Sequence, residues 1–181
     1  PQDDFPRGIT FNPDGTKMFL MGSNGDDVLE YALATGFDIS TASYTQSFSV
    51  TAQDSFPTGV AFNSDGTKMF VMGSSNDNVH EYALGVGFDI STASYTGNFS
   101  VTAQDTAPRD IAFNSDGTKM FVSGGDGEDI NEYALSTGFD ISTASYTHNF
   151  SVAAQDGFPT GIAFNSDGTR MYVTGDSAAI N

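Results

Sequence analysis

The chain repeats itself with a period of 51 residues. The segment Phe62–Phe70 reads Phe-Asn-Ser-Asp-Gly-Thr-Lys-Met-Phe, and closely similar copies lie at residues 11–19, 113–121 and 164–172. The spacing between successive copies does not vary. A fixed period of this length indicates an array of one supersecondary unit, in which each unit buries its apolar surface against its neighbours.

The pattern inside one repeat predicts four short antiparallel strands. In the second repeat, apolar and β-forming residues alternate or cluster in four runs, and glycine-rich or polar residues separate them. Asp65-Gly66 supplies the positive backbone angle that a tight hairpin needs. No segment has a helical period. The predicted strands are Thr58–Phe62, Lys68–Met72, Val79–Leu84 and Ser94–Thr102.

Four-stranded units at this spacing are typical of β-propeller blades. We therefore predict an all-β fold in which residues 1–181 form one propeller segment of about three and a half blades. The repeat units, counted from Phe11, are 11–61, 62–112, 113–163 and a partial 164–181, and residues 1–10 close a preceding unit and lead into the first strand.

An array of this size is expected to need more blades. Ile180-Asn181 aligns with the start of a third strand, and three and a half blades do not close a ring of about six to eight. Exposed blade faces and strand edges favour association. We expect either the remainder of a longer chain or self-association of several chains to close the ring.

The first hairpin of every repeat resembles the repeats of a known propeller family. The run Phe-Asn-x-Asp-Gly-Thr-Lys-Met-Phe-Val, with Tyr172-Val-Thr-Gly in the last copy, is similar to the Tyr-Val-Thr-Asn (YVTN) and lactonase-like propeller repeats. The resemblance covers about a third of each repeat. It implies a propeller fold and the possibility of a hydrolase, but the fold alone does not determine an activity.

The charge of the chain restricts its partners. Six Lys and Arg stand against 23 Asp and Glu, which gives a formal net charge of -17. Such a field repels phosphate backbones, so nucleic acid is not an expected partner, and no apolar run is long enough for membrane insertion. There is no cysteine. We expect an extracellular or cell-surface location. The acidic residues would keep the protein soluble or, alternatively, collect cations.

Sequence variation between the repeats is concentrated in two connections. The loop between the third and fourth strands is invariant over Gly-Phe-Asp-Ile-Ser-Thr, whereas the loop between the second and third strands and the blade-to-blade loop differ from copy to copy. In a propeller these two variable loops share one face, and loops on a rigid scaffold commonly carry function. The candidate ligand-face residues are Asp3, Arg7, Asp54, Asp77, Asp105, Arg109, Asp110, Asp126 and Asp156.

Acidic residues on this face suggest a calcium hypothesis. Asp54, Asp105 and Asp156 recur in the blade-to-blade loop, and carboxylate oxygens suit Ca²⁺. The loops lack the spacing of a dedicated calcium site, and capping of the following strand is the alternative. Asp110 stands where the other repeats have glycine; with Arg109 it forms either a self-satisfied charge pair or a polar anchor facing a ligand.

The residues give catalysis little support. His80 and His148 occupy unlike repeat positions, and both are expected to be exposed strand residues. Near-identical blades argue against one asymmetric active site. We therefore expect a non-enzymatic binding or structural module of a secreted, cell-surface or viral-fibre protein, with a protein or glycan ligand and no obligatory cofactor. The alternative is a lactonase-like or other hydrolytic propeller whose active residues lie partly outside this segment.

Overall fold

The computed structural model describes Asp3 and residues 5–176, and it confirms the predicted all-β blades. Strands that follow one another along the chain pair antiparallel, giving three four-stranded sheets, β1–β4, β5–β8 and β9–β12, and one two-stranded sheet, β13–β14. The strands are β1 (Pro6–Phe11), β2 (Lys17–Gly22), β3 (Asp27–Leu33), β4 (Ala42–Ser49), β5 (Pro57–Phe62), β6 (Lys68–Gly73), β7 (Asn78–Leu84), β8 (Ala93–Ser100), β9 (Pro108–Phe113), β10 (Lys119–Gly124), β11 (Asp129–Leu135), β12 (Ala144–Ser151), β13 (Pro159–Phe164) and β14 (Met171–Gly175).

The hydrogen-bonded blades start earlier than the repeat units counted from Phe11, because each blade includes the strand that ends at that phenylalanine. The first sheet runs from Pro6 to Ser49, so the strand that precedes Phe11 pairs with the strands that follow it. The first strands of adjacent blades contact one another: β1 meets β5, β5 meets β9, and β9 meets β13. These strands form the inner edge of the array, where a closed propeller has its channel. The predicted third strand at Ile180-Asn181 lies outside the described residues.

The turn between the first two strands is fixed by its own side chains. In the second blade, Gly66 has φ +72°, as the Asp-Gly pair predicts. Asp65 Oδ1 accepts hydrogen bonds from the Thr67 backbone N–H at 3.0 Å and from its hydroxyl at 2.6 Å. These bonds hold the pKa of Asp65 below its usual value. The same turn geometry recurs in every repeat.

The invariant loop between the third and fourth strands docks onto that turn. Phe88 has φ +58° and donates its backbone N–H to the Gly66 carbonyl at 3.0 Å. Asp89 then caps a short 3₁₀-helix by accepting from Ser91 N–H at 3.1 Å, and its repeat equivalents Asp38 and Asp140 do the same. The 3₁₀-helices, Ile39–Thr41, Ile90–Thr92 and Ile141–Thr143, were not predicted, because three residues are too few to show a helical period.

The core lies between blades rather than within one. One cluster joins the first blade to the second, with Phe19 packed on Phe62 at 4.5 Å between ring centroids. A second cluster joins the second blade to the third through Phe70 and Phe113, also at 4.5 Å. The cluster next to β13 is smaller. Each blade is therefore stabilised by its neighbours, as an array of repeats requires.

Along the described part of the chain, no helix has the length and apolar character needed to span a bilayer.

Candidate functional site

The two variable loops share one face, which we call the upper face. It carries the loops between the second and third strands (residues 23–26, 74–77 and 125–128) and the connections between blades (residues 50–56, 101–107 and 152–158). The two loop types are hydrogen-bonded: Val50 N–H donates to the Asp26 carbonyl at 2.8 Å, and Asn76 Nδ2 donates to the Gln53 carbonyl at 2.8 Å. The invariant loops lie together at the other end of the strands.

The recurring rim aspartates tie these loops together. Asp54 Oδ1 accepts from Phe56 N–H at 2.7 Å and from Ser75 N–H at 3.4 Å. Asp105 accepts from Ala107 N–H and Gly127 N–H, both at 2.7 Å. Asp3 bonds in the same way to Phe5, Asn24 and Gly25, and Asp156 accepts from Phe158 N–H at 2.7 Å. The predicted structural capping is therefore present, and it extends to the loop between the second and third strands.

The other acidic loop residues also make local contacts. Asp126 accepts a hydrogen bond from the Thr106 hydroxyl. Asp77 adopts a positive φ of +55°, and partial burial together with the neighbouring carboxylates raises its pKa. In the described part of the chain, no group of three or more His, Asp or Glu side chains is arranged to hold a metal ion.

Two arginines converge on a cavity at the upper end of the inner strands. The cavity has a volume of about 170 Å³. We call it the mouth site, because it lies at the upper end of the inner strands. Position two of the first strand alternates between Arg and Thr from blade to blade. The mouth site is lined by Pro6, Arg7, Thr58, Arg109, Phe158, Thr160 and Asp176.

Each arginine of the mouth site rests on a phenylalanine from the next blade. The Arg7 guanidinium carbon lies 5.4 Å from the Phe56 ring centroid, and that of Arg109 lies 4.6 Å from the Phe158 centroid. Neither guanidinium forms an ion pair with a carboxylate of the described residues, whereas all three lysines do. Arg109 Nε is buried and has no hydrogen-bond partner among the described residues. The two stacked arginines therefore present unpaired positive charge at one cavity of an acidic protein.

Of the two alternatives for Arg109 and Asp110, a charge pair or a polar anchor facing a ligand, the charge pair does not form. The Asp110 carboxylate turns to the backbone instead, accepting from Ile111 N–H at 2.9 Å and from Ile162 N–H in β13 at 3.0 Å. Burial raises the pKa of Asp110 to about 6, although these two hydrogen bonds act in the opposite direction. Asp110 thus links two blades through their inner strands. Alternate residues of a strand point to opposite faces, which is why adjacent Arg and Asp side chains separate.

The prediction that both histidines are exposed is wrong for His80. Its side chain is 2% exposed and lies in β7, with Nε2 3.3 Å from Asn76 Oδ1 and 3.9 Å from Asp54 Oδ2. Its repeat equivalents Leu29 and Asn131 are buried as well. Leu29 occupies the same repeat position in the first blade, and an apolar residue there indicates a buried position. The polarity of histidine hid this indication, because polar strand residues usually face solvent. His148 is exposed, as predicted.

A larger cavity, of about 700 Å³, opens between the third blade and β13–β14. Its wall includes Lys119, Glu132 and His148, a mixture of acidic and basic groups that a catalytic pocket also has. In the first blade, the equivalents of Lys119 and Glu132 are Lys17 and Glu30, and both are packed at a blade interface. There Lys17 Nζ donates to Glu30 Oε1 at 2.8 Å and to the Phe88 carbonyl at 2.6 Å. The large cavity is therefore an interface position of the repeat.

Solved structures of low sequence identity share this architecture. A protein from Bacteroides fragilis described as a putative 6-phosphogluconolactonase matches 93% of this chain and 47% of its own, at 16% identity and a TM-score of 0.65. The β-propeller domain of Cps50 (Swd1) from Myceliophteria thermophila matches 94% of this chain and 50% of its own, at 8% identity and a TM-score of 0.59. The chain is a segment of a β-propeller.

A third similarity and two negative results complete the comparison. Hydrazine synthase from Kuenenia stuttgartiensis matches 98% of this chain and 44% of its own, at 18% identity and a TM-score of 0.65. No protein-family model matches the chain, and no curated protein matches it. The chain spans about half the length of the solved chains that it resembles. At these identities the similarity shows the fold, in agreement with the lactonase-like resemblance of the repeats.

Proposed function

We propose that this segment binds the anionic group of a ligand at the mouth site. The observation that carries the proposal is the pair of stacked arginines, Arg7 and Arg109, which line one cavity and have no carboxylate partner among the described residues. A guanidinium matches the geometry of carboxylate and phosphate groups and keeps its charge at every physiological pH. The Thr58 and Thr160 hydroxyls in the same lining add neutral hydrogen-bonding groups.

The similarity to putative 6-phosphogluconolactonases favours a lactonase-like hydrolase as the setting of this site. The named substrate class carries a phosphate and a lactone, and an arginine pair suits the phosphate. In that function the mouth site anchors the substrate and other blades supply the residues that attack the lactone. This is the alternative that the sequence left open, and the solved structures favour it over a purely non-enzymatic module.

The second candidate is a non-enzymatic binding module for a protein or glycan ligand. The near-identity of the blades supports it, because a repeated surface suits a repeated or extended partner. An acidic peptide or a glycan bearing carboxylates would use the same two arginines. An extracellular or cell-surface setting remains part of this proposal.

The binding proposal is tested by calorimetric titration with inorganic phosphate and with 6-phosphogluconate. We expect saturable binding that weakens at least about tenfold in Arg109→Gln and further in the Arg7→Gln/Arg109→Gln double variant, since charged hydrogen bonds contribute about 1.5–3 kcal/mol each. Arg170→Gln is the matched control, because this exposed arginine just before β14 lies outside the mouth site. Unchanged affinity in the double variant would contradict the proposal.

Turnover distinguishes the two candidate functions. Hydrolysis of 6-phosphogluconolactone above its spontaneous rate, reduced in the double arginine variant, would support the hydrolase. Binding of 6-phosphogluconate without turnover would support the non-enzymatic module.

Calcium at the rim is a separate proposal. Asp54, Asp105 and Asp156 would have to provide oxygens that are not already used to accept backbone N–H groups. Binding to the folded state alone raises the melting temperature. Millimolar Ca²⁺ should therefore raise it and EDTA should reverse the effect; an unchanged melting temperature argues against a rim site.

A further inference from the structure

A cavity of about 430 Å³ lies along the first strands, next to the mouth site, and we call it the inner cavity. It is lined by residues of β1, β5, β9 and β13, among them Ile9, Val60, Asp110, Ile111 and Ile162. Within the described residues, each of these strands pairs only with the second strand of its own blade. Their other edges carry backbone groups that no strand bonds, and such edges can hold anions.

One side chain already occupies this edge. Asp110 in β9 accepts from Ile111 N–H, which lies 2.9 Å from Oδ1, and from Ile162 N–H in β13, which lies 3.0 Å from Oδ2. A single carboxylate thus takes one N–H from each of two adjacent first strands, with one oxygen for each donor. Hydrogen bonds to an ionised acceptor are stronger than neutral ones. The chain itself therefore shows which chemical group suits this pair of donors.

The same pair of donors recurs between β1 and β5. Ile9 and Val60 hold the same register in their hairpins as the two donors of the Asp110 carboxylate hold in theirs. Residues of an antiparallel strand alternate in the edge to which their N–H points, so the N–H groups of Ile9 and Val60 also point to the inner edge. Gly8 stands at the repeat position of Asp110 and supplies no carboxylate to them.

The geometry at Gly8 matches that at Asp110. A Cβ added to Gly8 would lie 3.4 Å from Val60 N, so a group at this position reaches the donor of the next strand, as Asp110 reaches Ile162. The place beside Gly59 is already taken, because a Cβ added there would lie 2.5 Å from Asp110 Oδ1. Among the first strands that the structure describes, the interval between β1 and β5 alone keeps both donors without a carboxylate.

We propose that the N–H groups of Ile9 and Val60, beside Gly8, form a slot for the carboxylate of a small organic ligand that enters the inner cavity. Each carboxylate oxygen accepts one N–H, as the two oxygens of Asp110 do. The missing side chain at Gly8 leaves the space that the ligand group takes. This slot is separate from the mouth site, because its donors are backbone groups and it does not depend on the two arginines.

The test is a titration of the full 181-residue chain with sodium acetate at neutral pH, followed through the backbone amide signals by NMR. Sodium chloride keeps the ionic strength constant, so that a general salt effect does not mimic binding. We expect saturable shifts of the Ile9 and Val60 amides that fit one site. The same shifts should persist in the Arg7→Gln/Arg109→Gln double variant, which separates the slot from anion binding at the mouth site.

Two substitutions at the repeat position of the slot change its occupancy in opposite directions. Gly8→Asp supplies an internal carboxylate, as Asp110 does in the third blade, and should weaken acetate binding at least about tenfold. Asp110→Gly removes the existing carboxylate and should add a second site, seen as new saturable shifts of the Ile111 and Ile162 amides. This second variant keeps the test independent of whether Gly8→Asp folds.

Gly97→Asp is the matched control for the added charge. A Cβ at Gly97 meets nothing within 4 Å, and this residue lies in β8, away from the first strands, so acetate binding should not change. The proposal would be overturned by a lack of saturable shifts at Ile9 and Val60, by their loss in the double arginine variant, or by native affinity in a folded Gly8→Asp. A single site in Asp110→Gly would also overturn it.

Discussion

Asp110 shows how one substitution changes a repeat at the scale of a residue. The other three copies have glycine at this position, and there the first strands of adjacent blades approach closely. The Asp110 carboxylate bridges this contact by accepting from Ile162 N–H, and burial raises its pKa to about 6. Desolvation is the larger effect here, so burial favours the protonated form of this carboxyl more than water does in the unfolded chain.

The contribution of Asp110 to the stability of the protein should therefore fall as pH rises from about 4 to about 6. Over this range the folded state holds the Asp110 proton more tightly than the unfolded state, so deprotonation favours unfolding, by about 1–3 kcal/mol in total. Asp110→Asn should remove this component, and the difference in unfolding free energy between the two proteins, from urea titrations at several pH values, measures it.

Asp65→Asn supplies the opposite case. Hydrogen bonds from Thr67 hold the pKa of Asp65 low, so its contribution is present above the unfolded pKa and is lost as pH falls. The stabilising effect of Asp110 relative to asparagine should instead decrease as pH rises. If the native protein gained unfolding free energy over Asp110→Asn as pH rose, as it should over Asp65→Asn, a raised pKa of Asp110 would be contradicted.

His80 marks the limit of residue-scale prediction from the sequence. Periodicity identified its strand, but the side chain of a strand residue can face either neighbour, and polarity suggested solvent. In the structure it faces the blade interface near Asp54 and Asn76. The arginines of the mouth site were found from the sequence, whereas their phenylalanine partners were not, because stacking across blades depends on the angle between them.

At the scale of the element, the sequence predicts each strand to within about two residues because turn chemistry separates the runs so clearly. The invariant lower loop is explained by close packing: a Cβ added to Gly87 would lie 2.4 Å from the Asp65 carbonyl oxygen, a backbone atom that cannot move aside. The loop must therefore contain glycine wherever it docks on the turn. This is a physical reason for its identity in all three copies.

Gly87→Ala should consequently destabilise the protein by about 2 kcal/mol or more, because the added methyl group would overlap a backbone carbonyl and force the loop away from the turn. Gly97→Ala is the matched control. An added Cβ at Gly97 meets nothing within 4 Å, so alanine in β8 should be neutral or stabilising by up to about 1 kcal/mol. Thermal melts of the two variants compare them directly; equal losses would show that the loop is not held by this contact.

At the scale of the whole molecule, the repeat predicted that blades are stabilised by their neighbours, and the interface clusters confirm it. The sequence could not predict which interfaces are filled. Phe19, Phe70 and Phe121 occupy the same repeat position, yet the first two are fully buried and the third borders the large cavity. Identical local sequences thus have different environments, since burial is a property of the array.

This difference gives a prediction with its own internal controls. Phe19→Ala and Phe70→Ala should each lower the unfolding free energy by about 3–5 kcal/mol, because each leaves a cavity in a packed interface. Phe121→Ala should lower it by roughly half as much, since the lost side chain already borders open space and the site can relax. Urea unfolding of the three variants tests the order. If Phe121→Ala lost as much unfolding free energy as the other two variants, its interface would be closed in solution. If Phe19→Ala and Phe70→Ala lost unequal amounts, the two filled interfaces would not be energetically equivalent.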